Sequence, residues 1–296
     1  MNKLDKDKEY HPATQIGSIL SLIKEKKKAT VGAVIVGAFF ITAIIVAVAD
    51  FLEIQATPYG PLQQNTGPAL SPPSFSHIFG TDLVGRDVFS RIIAATPNDV
   101  AVGISVVVVA FLLGTLIGSM AAFKGGLFDE FLMRFTDVIF ALPVLVIAMV
   151  IAVALGPGVG NMMIALMIIW WPPYARLARG EALKVSHQNY IEVARISGME
   201  TWRIIIKHVV PNIFVTMLVY ATLDIGTVIL VYAGFSYLGL SVRPPYPDWG
   251  EMVSSFKDYI ITAPWLPLVP GFVIAANVVG FSLLGDGIRN ALVEER

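Results

Sequence analysis

Apolar positions gather into six long runs, at about residues 29–49, 98–122, 132–155, 160–180, 211–236 and 264–287. Each is close to the ~20 residues an α-helix needs to cross a ~30 Å hydrocarbon core. In lipid every backbone amide and carbonyl must be bonded within the protein, so only helices and closed barrels span. The runs are too long and too continuous for barrel strands. The pattern therefore predicts an all-α integral membrane chain with six transmembrane helices. Pro143, Pro172, Pro173 and Gly226 fall inside the runs, where transmembrane helices tolerate them. The first run, Ala29 to Ala49, is longer than the apolar stretch of a signal peptide and follows a long polar tail, so it reads as a retained span.

Composition agrees. Of 296 residues 55% are hydrophobic and 15% charged, and mean hydropathy is +0.71; a soluble domain carries about 25% charged residues. A net charge of −1 gives no field for nucleic acid. The absence of cysteine removes disulfides, thiolate metal ligands and thiol nucleophiles. With the N-terminus inside, 17 of the 21 lysines and arginines fall on inner segments. That bias places both termini in the cytoplasm. The run Lys24-Glu25-Lys26-Lys27-Lys28 anchors the first span, with lipid headgroup binding as the lesser reading. The division expected is an inner tail at 1–28, a first helix at 29–49, an outer loop with a helical part at 50–97, a five-helix core at 98–290 and an inner tail at 291–296.

Between the fourth and fifth runs lies a charged cassette, Tyr190 to Asn212, on the inner side. After Gly198, the residues Met199, Trp202, Ile205, Ile206 and Val209 fall on one helical face, while Glu200, Arg203 and Lys207 lie elsewhere. Gly198 suits a sharp turn. Pro211 ends the inner piece and suits the first turn of the next span. The cassette thus reads as helix, glycine turn, amphipathic helix and proline. Two uses of it stand equally: an interfacial helix lying on lipid, or a lever offered to a soluble partner.

Its spacing is more specific than amphipathicity. Glu192-Val193-Ala194, then Gly198, then His208-Val209-Val210-Pro211 resembles the EAA loop of ABC importer permeases, with Val193 where alanine is usual. His77 to Ile93 (HIFGTDLVGRDVFSRII), Trp170 to Leu183 and Phe281 to Arg296 resemble signatures of the dipeptide, oligopeptide and nickel branch. Ala94 to Asp99 departs from the G-A-R-x-S-L of many relatives. The resemblance covers nearly the whole chain. It implies the type I ABC importer transmembrane fold in the plasma or inner membrane. In that family the cassette docks in a groove of an ATPase subunit, which here implicates Glu192, Ala194, Gly198, Trp202, Arg203, His208 and Pro211 in coupling. The implied partners are a second homologous permease, two ATPase subunits and an extracellular substrate-binding protein. The solutes implied are peptides, with oligosaccharides and nickel among relatives. The chain has no phosphate-binding G-x-x-x-x-G-K-[ST] and so no cofactor of its own; ATP and Mg would sit on the partners.

Other chemistry is thinly represented. There is no H-E-x-x-H, Gly234 to Leu238 misses G-x-S-x-G at its last position, and His77 falls on the opposite side from His11, His187 and His208. No metal site and no enzyme is expected. Asp224 and Asn277 are the deepest polar residues, and Asp137 and Asp286 lie nearer the inner ends. An intramembrane carboxylate marks a pathway or a coupling site, and equally an interhelical hydrogen bond, so an ion-coupled secondary transporter remains the alternative. In the outer loop Asp82 is placed as a helix cap and Asp87 pairs with Arg91 at i, i+4. Asp82, Gly85, Arg86 and Asp87 are therefore candidates for binding-protein docking or a gate. Tyr237 to Trp249 shares that outer face, with Tyr246 and Trp249 also read as interfacial anchors.

Overall fold

The computed structural model describes residues 27–294. Residues 1–26, with His11 and the start of the basic run, and residues 295 and 296 lie outside the described residues. Of the inner tail expected at 291–296, only backbone to Glu294 is described. The helices are α1 (Lys27–Phe51), α2 (Val88–Lys124), α3 (Gly126–Ala141), α4 (Val144–Leu155), α5 (Val159–Ser186), α6 (Asn189–Ile196), α7 (Thr201–Tyr237), α8 (Trp249–Phe256) and α9 (Trp265–Glu294). Among the described residues there is no strand, only an isolated bridge between Thr81 and Asp87.

Four helices, α1, α2, α7 and α9, are long and apolar enough to cross a membrane. The expected single helix at 132–155 is instead α3 and α4, bent by 84° at Leu142-Pro143; counted together they make a fifth candidate. The cause is local. Leu142 is extended (φ −97°, ψ 143°), as a residue before proline prefers, and Pro143 has no amide to continue the ladder. The run expected at 160–180 falls within the 28-residue α5. Trp170 to Tyr174, Arg176 and Arg179 dilute its apolarity, and α5 does not qualify as a span by itself.

Two further expectations change. Helix α2 begins at Val88 and runs through Pro97, so the outer loop is shorter than 50–97 and the span longer. Pro211 does not separate two helices. The chain is helical from Thr201 to Tyr237, with a π-helical turn over Ile205–Val209 taking up the join, and Pro211 sits in the first turn after it.

The closest packing is between α2 and α5. Gly114 and Gly118, four apart, lie on the face of α2 that meets Ala175 and Ala178 of α5. A Cβ on Gly118 would stand 2.8 Å from the Arg179 amide nitrogen, and one on Gly114 2.8 Å from the Ala175 nitrogen and the Trp171 carbonyl oxygen. The obstructing atoms are backbone, which cannot step aside. Where lipid is as apolar as leucine, helices associate through this kind of close packing between small residues. Around this seam Val107, Ala110, Leu166, Ile169 and Tyr174 are buried in the larger apolar core. Helix α1 rests on α9, which in turn packs on α7. Helices α3 and α4 remain largely uncovered: Thr136 is the one buried residue on α3, and Ala148 and Ala152 are those on α4.

The seam makes a sign-changing prediction. Gly118→Ala forces backbone apart and should cost about 1–3 kcal/mol. Gly180→Ala, on the open side of α5 with nothing within 4 Å, should gain roughly 0.5–1 kcal/mol from helix propensity. Thermal unfolding of the two variants in one detergent should move in opposite directions.

Candidate functional site

Three regions carry the residues singled out by sequence: the cassette after α5, the turn before α2, and a cavity beside Asp224.

In the cassette, Ile191 and Ala194 of α6 turn inward and are buried, which fixes the short helix to the core. The chain then reverses at Gly198, whose φ of +77° lies where a side chain is strained; its amide bonds to the Arg195 carbonyl at 3.0 Å. The apolar face expected from Met199 to Val209 is divided. Ile204, Ile205 and Val209 are buried, while Trp202 and Ile206 are 56% and 54% exposed. Trp202 and Ile206, four apart, face out together, while Ile205 and Val209, also four apart, face the core. Val193 and Ile196 of α6 are exposed as well. The cassette therefore offers an outer apolar surface of Val193, Ile196, Trp202 and Ile206. Trp202 Nε1 donates to Glu200 Oε2 at 2.7 Å, and Arg203 Nε stands 3.3 Å from the same oxygen. Glu192 is exposed, and among the described residues no ion pair joins it to Arg195, whose guanidinium lies over the Phe123 ring instead. His208 lies beside Tyr190, and its carbonyl takes the Asn212 amide.

The turn before α2 corrects two readings. Asp82 caps no helix: its Oδ1 accepts from the Val84 and Arg86 amides at 3.0 and 2.9 Å, and its Oδ2 from Arg86 Nε at 2.6 Å. With Gly85 at φ +70°, this closes a tight loop. Asp87 is the cap, accepting from the Ser90 amide at 2.8 Å. Asp87 pairs not with Arg91 but with His77, at 2.9 Å. Asp82, Gly85 and Asp87 are buried, so they build the turn while its surface belongs to Leu83 and Val84.

Arg91 points elsewhere. It is 1% exposed, donates through Nη1 to the carbonyls of Pro61 and Pro245 at 3.2 and 3.0 Å, and lies 3.8 Å from Glu251. Burial pushes the Glu251 carboxyl above its ordinary range, opposed by a bond from the Ser255 hydroxyl and by the Arg91 charge. Beside it Asp248 caps α8, accepting from the Gly250 and Glu251 amides and from Tyr232 and Ser236. Trp249, expected as an interfacial anchor, is fully buried and donates Nε1 to the Ile92 carbonyl; Tyr246 is exposed. The Arg91–Glu251 contact was invisible in sequence, since 160 positions separate the two residues.

Asp224 is half-buried on α7. Trp170 Nε1 and the Tyr174 hydroxyl, both from α5, donate to its Oδ2 at 2.7 and 2.9 Å. It lines a cavity of about 270 Å³ at the α3–α4 bend, together with Trp170, Pro172, Pro173 and Tyr220. Asn277 is fully buried and does not line this cavity; neither of its side-chain polar atoms has a partner. Asp137, one turn before the bend, is exposed and bonds Arg176 at 2.5 Å, and that guanidinium lies over the Phe140 ring. Among the described residues no cluster of three His, Asp or Glu is arranged to hold a metal.

A helical membrane chain with an apolar cassette and a lone carboxylate in a cavity has the makings of a transport subunit. The family described as binding-protein-dependent transport system inner membrane component matches residues 114–295, and the chain belongs to it. A dipeptide transport system permease protein of Alkalihalophilus pseudofirmus is 36% identical over 91% of this chain and 86% of its own. A probable D,D-dipeptide transport system permease protein of Escherichia coli is 40% identical over 75% of each chain. A glutathione transport system permease protein of Pectobacterium atrosepticum is 38% identical over 74% and 73%. The protein is thus an ABC importer permease of the dipeptide/oligopeptide branch, a multi-pass inner-membrane transport subunit and not an enzyme.

The Arg91–Glu251 pair yields a pH prediction. Arg91→Gln leaves Glu251 buried without its cation, a loss on the order of 3–5 kcal/mol. Glu251, already raised, is raised further. A carboxyl whose folded pKa exceeds the unfolded one, about 4.3, stabilises fully below that value and loses the contribution as pH climbs through the folded pKa. The variant should therefore lose more thermal stability at pH 8 than at pH 5, relative to wild type at each pH. Equal losses would mean that the Glu251 charge is not involved.

Proposed function

We propose that this chain forms half of the translocation path of an ATP-driven importer of short peptides. Counting α5 and the bent α3–α4 pair, it has six spans and both termini in the cytoplasm, as the lysine and arginine bias requires. Two ATPase subunits bind ATP and Mg, a second homologous permease completes the path, and an external binding protein delivers the solute. The observation that carries this reading is the uncovered apolar row Val193, Ile196, Trp202 and Ile206, raised on a cassette whose inner face is fixed to the core. A row of that kind on the inner side suits a groove in an ATPase. Docked there, the cassette transmits the difference between the ATPases' two states to the helices, and the permease needs no chemistry of its own.

The uncovered faces of α3 and α4 support the pairing with a second permease. An apolar pocket of about 380 Å³ lined by Leu145, Val146, Met149, Leu230, Phe235 and Leu238 lies on that side. Peptides are favoured as solutes because the relatives described above are named for dipeptides and glutathione. In the outer turn, Asp82, Gly85, Arg86 and Asp87 act by holding Leu83 and Val84 toward the binding protein.

Trp202→Ala tests the coupling. As a buried interface anchor it should cost about 2–4 kcal/mol of ATPase affinity, a loss of roughly 30- to 1,000-fold. ATP hydrolysis by the reconstituted complex should then no longer respond to loaded binding protein, while the chain still inserts. Full stimulation would return the cassette to the lipid surface. Gly198→Val should weaken ATPase capture more than Gly198→Asn, because asparagine tolerates positive φ and valine does not. Co-purification of the ATPase with each variant measures this.

A further inference from the structure

The Asp224 cavity has a composition that favours one kind of guest. Its walls are mostly apolar and aromatic, from Ile139, Phe140, Val144, Trp170 and Tyr220, and its one charged group is the Asp224 carboxylate. Both hydrogen bonds to that carboxylate go to Oδ2, and no hydrogen bond among the described residues reaches Oδ1. Trp170 Nε1 is a donor only, so the oxygen it shares with the Tyr174 hydroxyl is acting as an acceptor. Pro172 and Pro173 lack amide hydrogens, so neither can donate the regular helical bond to the carbonyls of Ile168 and Ile169, and Ile169, Pro172 and Pro173 all line the cavity. No lysine, arginine or histidine among the described residues lines it; Arg176 stands outside, over the Phe140 ring at 4.2 Å and paired with Asp137, which leaves Trp170 and Tyr220 as the open ring faces. A carboxylate with a spare oxygen and aromatic faces together recognise a cation, since ring faces attract ammonium groups.

We propose that Asp224, with Trp170 and Tyr220, forms a transient site for a primary ammonium group of the transported solute at the bend of α3 and α4. This rests on the importer reading above and names the chemical class that its path holds: a small amine such as the N-terminus of a short peptide. The α3–α4 break lies in the wall of the site, since Phe140 and Val144 flank Leu142-Pro143 on either side. Tyr174 is outside the cavity and fully buried; its hydroxyl pins the carboxylate from behind. The competing account is that Asp224 only ties α7 to α5.

The test uses the complete reconstituted transporter with its binding protein, and alanyl-alanine as the probe. Uptake and ATP hydrolysis are read together. Wild-type vesicles that show no hydrolysis stimulated by loaded binding protein would refute the importer reading itself, a result separate from those below. Asp224→Asn keeps an acceptor for Trp170 and Tyr174 but removes the charge; uptake per ATP hydrolysed should fall at least tenfold while stimulated hydrolysis persists. Tyr174→Phe removes a pin and leaves the cavity wall, and uptake per ATP should stay within about twofold of wild type. Uptake unchanged in Asp224→Asn, or an equal fall in Tyr174→Phe, would overturn the site in favour of a structural tie. Should Asp224→Asn fail to assemble, Tyr220→Leu decides: it makes no bond to Asp224, and a fall in uptake per ATP supports the site while unchanged uptake refutes it.

Discussion

The structure depends on how closely α2 and α5 approach one another. Gly114 and Gly118 let the two backbones meet with no side chain between them, and the atoms they face are the amides and carbonyls of Trp171 to Arg179. In a bilayer there is no hydrophobic gain from moving apolar side chains out of lipid, so such contact is what holds helices together. The consequences run both ways along α5. At one end of the seam Trp170 and Tyr174 of α5 donate to Asp224 of α7, which holds that carboxylate at the cavity. At the other, the last turns of α5 carry the chain to Ser186 and set where α6 begins. The cassette is thus attached at one end to α5 and runs at the other into α7.

The cassette's mechanical quality follows from two backbone features. Gly198 reverses the chain at positive φ, and the π-turn at Ile205–Val209 joins the returning strand of helix to α7 without a gap. Ile191, Ala194, Ile204, Ile205 and Val209 bind it to the core, leaving Val193, Ile196, Trp202 and Ile206 outside. A surface attached to a 37-residue continuous helix transmits displacement far better than one on a hinged loop. Away from the cassette, Arg91, Glu251 and Asp248 join the loops around Pro61 and Pro245 to the start of α2 and to α8.

Much of this was legible in the chain. Apolar runs gave α1, α2, α7 and α9, because a helix in lipid records its length directly in composition. The Gly198 turn was legible too, since only a few residue types suit that backbone. The bend at Pro143 was not, because proline within a span leads as readily to a tolerated kink as to a break, and the outcome lay in the extended backbone that Leu142 adopts. Asp82 was misread as a cap because Asp82 and Asp87 both carry cap chemistry, and the choice fell to the side chain that met Ser90. The divided cassette face was hidden because helical spacing tells which residues share a wide apolar face, not which part of that face the core covers. The partners of Asp224 and Arg91 are remote in sequence, and no local pattern encodes them.

The central claim is that the outer row of the cassette is covered by an ATPase and not by lipid. The chain contains no cysteine, so a single introduced thiol reports without interference. With Ile196→Cys, at a position 81% exposed, the measurement is the rate of labelling by a water-soluble maleimide in inside-out vesicles, with and without the ATPase subunits. The account predicts rapid labelling of the permease without ATPases and strong protection once they are bound. Slow labelling in both preparations would mean that lipid already covers the row, and would contradict it.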